Sequence, residues 1–251
     1  MLKYTFSLLL LLVSFSGMAQ ETKKTQGGTK QSEAKDSIAP KKERYGIRFG
    51  VDVVKLARTF VEKDYRGIEL VGDYKLTRKH YIAVEIGNES KTSDEEQLNF
   101  TTAGTYFKVG FDYNAYKNWL GMENMIYVGL RYGASSFSQT LNNYDIYNTN
   151  TYFGETVVVE SGEKFEGLSA QWIEVVAGVK AEVYKNIYIG FSFRLNNLVS
   201  NKEPDNFANL HIPGFNKTSA GNFGAGFNYT VSYFLPLYKS TVKSKEKAVK
   251  K

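Results

Sequence analysis

The residues able to do chemistry are few. The chain carries two histidines and no cysteine, so zinc and haem sites of the usual kinds have almost no ligands. His211 stands in sequence near Glu203, Asp205 and Ser219, and a serine activated by a histidine could carry acyl transfer on a lipid. No orienting motif surrounds either residue, so no catalytic residue is assigned. His80 sits beside Arg78 and Lys79 in a polar join and reads as solvated. Asp94, Glu95 and Glu96 could hold a divalent cation or meet cation-bridged lipid phosphates, but a solvated loop tip is the plainer reading. No metal and no cofactor are expected.

A larger set of charges is set apart by its spacing. Arg48, Asp52, Glu69, Asp73, Glu85, Lys108, Asp112, Arg131, Glu174, Lys180, Glu182 and Arg194 each alternate with apolar neighbours. Alternation at period two puts such charges on one face of an extended segment and the apolar residues on the other. The elements that must position them are therefore strands.

Eight such segments are legible. They are Tyr45 to Val54, Gly67 to Tyr74, Tyr81 to Gly87, Gly104 to Tyr113, Met125 to Gly133, Gln171 to Val183, Ile187 to Asn196 and Asn222 to Phe234. In the last, Phe223, Ala225, Phe227, Tyr229, Val231 and Tyr233 oppose Gly224, Gly226, Asn228, Thr230 and Ser232. A tilted strand of about 10 residues spans the roughly 25 Å apolar band of an outer membrane. The expected fold is all-β, an eight-stranded antiparallel transmembrane β-barrel with up-and-down meander topology.

Which face points outward separates a membrane barrel from a soluble one. With the apolar faces outward, five basic and seven acidic side chains share the interior, where they can pair. No charge falls on the apolar face of any segment, where Arg or Lys at mid-depth would cost ~2–4 kcal/mol. Glycines on the charged face leave room for the large paired side chains. The joins agree: residues 75–80, 114–124 and 184–186 are short, whereas 55–66, 88–103, 134–170 and 197–221 are long. Short periplasmic turns and long external loops are the asymmetry of outer-membrane barrels. Within the third long join, VVVE reads as a hairpin that extends the barrel above the membrane. Tyr45, Tyr74, Tyr81, Tyr113, Tyr116, Trp119 and Tyr233 are expected to form a periplasmic aromatic belt, and Phe100 and Tyr132 an outer one.

The chain starts with Lys3, an apolar run from Leu8 to Phe15 and small residues at Gly17 and Ala19. This reads as a signal peptide over residues 1–19, since a membrane anchor would need ~20 apolar residues. Residues 20–43 read as a disordered periplasmic leader, 44–238 as the barrel and 239–251 as a basic disordered tail. The formal charge of +6 is concentrated in that tail, which argues against nucleic acid as a partner.

The eight segments, GMENMIYVGLRYGASSFSQT, FSFRLNNLVSNKEPDNF and the closing GFNYTVSYFLPLY resemble porin-type barrels of Bacteroidota, in particular a flavobacterial-type outer-membrane family of unknown function. The resemblance covers residues 44–238. It implies location in the bacterial outer membrane and assembly by the barrel assembly machinery, with Tyr233, Phe234 and Tyr238 as the assembly signal. Partners are then outer-membrane lipid and lipopolysaccharide, with an unknown surface or periplasmic protein at the loops. A barrel of eight strands is filled by side chains or holds one small ligand. The expected role is non-enzymatic, structural or in surface interaction through the long loops. A narrow channel for small solutes or lipophiles and a lipid-modifying enzyme are the alternatives.

Overall fold

Eight segments with one apolar face and polar joins bury their backbone groups best by pairing in sequence order. In the computed structural model, which describes residues 41–95, 97–116, 122–146, 157–204, 208–215 and 221–242, they do so. The strands are β1 (Lys41–Asp52), β2 (Tyr65–Lys75), β3 (His80–Glu95), β4 (Leu98–Asn114), β5 (Met125–Ile146), β6 (Val157–Tyr184), β7 (Ile187–Lys202) and β8 (Phe223–Val242). Each pairs antiparallel with the next, and β1 pairs with β8 to close the ring. The expected eight-stranded closed barrel is the fold.

Its wall is inside out relative to a soluble protein. Phe49, Leu70, Ile86, Phe107, Leu130, Val175, Phe193 and Phe227, one from each strand, are between 45% and 57% exposed. Arg48, Glu69, Glu85, Lys108, Arg131, Glu174 and Arg194 are all buried. Two glycines on the inward face show why small residues recur there. A methyl group on Gly87 would strike the Tyr106 ring, and one on Gly133 would strike Trp172.

The structure corrects the limits of the elements. Most of the residues assigned to the long joins are strand: β3 and β4 continue to Glu95 and from Leu98, so the 88–103 join is a near-continuous hairpin. β5 runs to Ile146 and β6 starts at Val157, so the expected hairpin extension is present. Above the apolar band both faces become polar, and the period-two signal fades while ladder hydrogen bonds continue. At the other end β1 starts at Lys41 and β8 ends at Val242, which moves the barrel limits outward from 44 and 238. Pro236 lies opposite Gly46, and the β1/β8 register shifts between Tyr45 and Gly46. Proline has no N–H to give the ladder, which suits it to a bulge.

The first long join holds a helix in place of a loop. Asp52 ends β1 and its carboxylate accepts from the backbone N–H groups of Val54 (2.7 Å) and Lys55 (3.1 Å). This N-cap starts α1 (Val53–Val61), so Val53 and Val54 leave the strand assigned to them. Thr59 fastens α1 to the top of β2, donating to the Gly67 carbonyl at 3.0 Å and accepting from its N–H at 2.9 Å.

Two aromatic assignments also change. Tyr81 and Phe100 are buried, and Tyr81 falls by period with Ala83 and Glu85 on the inward face. Tyr113, Tyr116, Tyr132 and Tyr233 are exposed, Tyr45 and Tyr74 are half-buried, and Trp119 lies outside the described residues.

Candidate functional site

The barrel interior gathers eleven of the twelve alternating charges, with Glu182 at its lower rim, and ties opposite walls together. In a ring of eight, strands four apart face each other across the lumen. Arg194 on β7 donates to both oxygens of Glu85 on β3, at 2.6 and 3.0 Å. Lys180 on β6 reaches Asp73 on β2 at 2.6 Å. Both contacts cross the full width of the barrel. Bidentate guanidinium–carboxylate pairing is the strongest ordinary ion pair, and it fixes orientation as well as distance.

The other charges complete this lattice. Glu174 receives Lys108 at 2.9 Å, Arg194 at 3.2 Å and the Trp172 indole N–H at 2.6 Å. Arg131 pairs with Asp112 at 2.7 Å and lies 3.6 Å from Glu85. Arg48 meets Asp73 at 3.2 Å and stacks over Tyr188 at 4.5 Å. Only about 20 Å³ of free space remains between Arg48, Asp73, Glu85, Arg131, Lys180 and Arg194. That suffices for about one water molecule. Glu182 stands apart from the lattice, accepting from the Asn186 N–H and the Tyr188 hydroxyl with Arg44 at 3.8 Å.

The outer end of the lumen is built differently. Lys55 of α1 enters the barrel and donates to Glu69 at 2.9 Å and to the Tyr106 hydroxyl at 2.5 Å, with Glu89 at 3.7 Å. Tyr106 in turn donates to Glu69 at 2.6 Å. Asn228 bonds both Glu69, at 2.9 Å, and Asp52. Residues 208–215 fold into the mouth beside α1. There the Gly214 N–H donates to Glu89 at 3.0 Å, and His211 Nε2 lies 3.5 Å from the same carboxylate. Ile212 and Phe215 bury themselves against Tyr106, Phe137, Leu168 and Trp172. Gln139 anchors the segment further, donating to the Ala208 carbonyl at 3.1 Å.

Several of these residues were not assigned from the sequence. Glu89 is one step of the period beyond Gly87, and Lys75 one beyond Asp73. Lys75 pairs with Glu123 at 2.8 Å near the lower rim. Extending the alternation would have found both Glu89 and Lys75. Lys55 needed the helix, and Asp52 followed by Lys55, Leu56, Ala57 and Arg58 carries that signal as an N-cap before helix formers. Phe234 turns inward against Tyr188, whereas Tyr233 and Tyr238 face outward.

Among the described residues the other candidates do not assemble into a reactive centre. His211 faces Glu89, and Ser219 and Asp205 lie outside the described residues. His80 is exposed and bonds Thr77 at 2.9 Å. Asp94 accepts from Asn99 at 3.2 Å, and Glu96 lies outside the described residues. Among the described residues no three histidine, aspartate or glutamate side chains converge as a metal site.

A search of the curated proteins found no match. Among solved structures the chain is similar to Ail, the attachment invasion locus protein of Yersinia pestis. That likeness has 10% identity and a TM-score of 0.37, covering 78% of this chain and 99% of that one. A family model described as a domain of unknown function, DUF6048, matches residues 1–240, and the chain belongs to that family.

Proposed function

We propose that this protein is a non-enzymatic outer-membrane barrel whose interior is closed by paired charges, and that it serves a structural or surface role through its outer hairpins. The observation that carries the reading is the inverted wall: apolar side chains outside on every strand, buried ion pairs inside. Burying so many charges is costly, and only a barrel immersed in hydrocarbon gains from facing its apolar residues outward. In this reading the apolar segment near the N-terminus directs export, as in the flavobacterial barrels the chain resembles. The outward face meets outer-membrane lipid and lipopolysaccharide. Tyr233, Phe234 and Tyr238 lie on β8, the last strand, as the signal that the barrel assembly machinery reads. The hairpins of β3/β4 and β5/β6 project from the outer rim and offer the surface for a protein partner.

Conductance across a planar bilayer tests the closed lumen. The folded protein is expected to stay silent, both as wild type and with Lys108→Ala and Arg131→Ala. Defined openings altered by those two substitutions would replace this reading with a narrow channel for small solutes or lipophiles.

A further inference from the structure

The outer wall of a small barrel is convex, so side chains splay apart and concave surface on it requires a local cause. One concavity of about 670 Å³ lies on the outside of the wall, crossing β2 to β6. Its volume falls within the ~300–1,000 Å³ of ordinary small-ligand sites. The cause is a change of side-chain size along two neighbouring register rows. The lower row passes from Leu70, Ile86 and Phe107 to Ala134. The row above passes from Asn88 and Thr105 to Ser136 and Ser169. Small residues on β5 thus leave a trough beside Phe107, and Tyr132, one step below Ala134, stands at its edge with its hydroxyl on Gln171 at 2.8 Å.

We propose that this groove seats one acyl chain of a membrane lipid, with the ester end of that chain against the upper row. The proposal rests on the outer-membrane reading. The occupant follows from the lining: hydrocarbon from Leu70 to Ala134 in the lower row, which ends at Gln171 on β6, then neutral amide and hydroxyl groups from Asn88 to Ser169 in the row above, which starts at Ile68, and no charged residue in the groove. An ester carbonyl can accept from Asn88, Thr105, Ser136 or Ser169, whereas a charged headgroup would find no counter-ion there. The groove lies on the face that a bilayer would cover, with Ile68, Leu70, Ile86 and Phe107 all about half exposed around it.

Phosphatidylcholine with a photoreactive group on its acyl chain supplies the test, using the full chain reconstituted in vesicles and cross-linked peptides read by mass spectrometry. The expected result is labelling concentrated on the β4 and β5 residues of the groove. Ala134→Trp should reduce it to the level of the β8 wall, and Val231→Trp on that opposite wall should leave it unchanged. Even labelling around the barrel would overturn the groove and leave the membrane reading intact. Labelling confined to other faces, or cross-links between two copies in place of lipid, would also overturn the groove. No labelling of any outward face would overturn both readings. Because position 134 faces outward, retention of the fold in the Trp variant is checked by heat-modified gel migration.

Discussion

The inner and outer halves of the lumen use the same ion-pair chemistry on different supports. In the inner half the pairs of the lattice run from strand to strand, as with Arg194 and Glu85 or Lys180 and Asp73, and Glu123, two residues before β5, is the exception at the rim. Those side chains are held in place by the ladder before any pair forms. In the outer half the carboxylates are on strands and keep some strand partners, Tyr106 and Asn228 among them, but they also hold groups that are not on strands. Lys55 belongs to α1, and His211 and Gly214 to the segment 208–215. The inner half is therefore part of the wall, whereas the outer half is a plug attached to it. Glu89 is the point at which both pieces of the plug are fastened.

The sharpest way to break this contrast is to remove one strut. Arg194→Ala leaves Glu85 and Glu174 without their shared guanidinium, and removal of one partner from a buried pair costs about 3–5 kcal/mol. Urea unfolding of the protein in lipid should show that loss across the whole barrel, in one transition. A smaller and more local loss is expected from Glu89→Ala, which removes the acceptor of the Gly214 N–H and the carboxylate that faces Lys55 and His211. Orphaned buried groups cost about 1–3 kcal/mol each, less where water reaches them. Hydrogen exchange should speed up over 53–61 and 208–215 while the strands stay protected. Equal acceleration in β3 and β7 would show that plug and wall are one unit.

The smallest effect is expected at the surface of α1. Arg58 donates to Glu62 at 2.8 Å through two nitrogens, and both side chains are partly exposed. That bond holds the Glu62 carboxyl below its ordinary range, with only slight burial opposing it. A depressed folded pKa stabilises above the ordinary carboxylate pKa, and the contribution disappears as pH falls through the folded value. Glu62→Gln should therefore change stability by less than about 1 kcal/mol at neutral pH and flatten that small acid dependence. Thermal melts at pH 7 and pH 3 read both.

What could be read in advance divides along the same line. Arg48, Glu85 and Arg194 declared their inward position because their neighbours Phe49, Ile86 and Phe193 are apolar and the period is two. Period says which wall a side chain points from, yet not which partner it meets. By register Arg131 lies beside Glu174, but its partners are Asp112 and Glu85, because Lys108, Arg194 and Trp172 already surround Glu174. Glu89 was hidden by a different cause: its strand neighbours Asn88 and Ser90 are polar, so the contrast between faces vanishes where the wall rises above the apolar band. Lys55 was hidden by a change of period, since nine residues of helix interrupt the alternation between β1 and β2.

The ladder that closes the ring joins Lys41 to Val242 and Asp52 to Thr230. Its two strands are the farthest apart in the chain, so this seam carries the largest loop-closure entropy and forms late in folding. Until it forms, β1 and β8 each present an unpaired edge, to which strands of other chains can add. Newly made protein is thus most vulnerable to aggregation during the interval before its last strand meets its first.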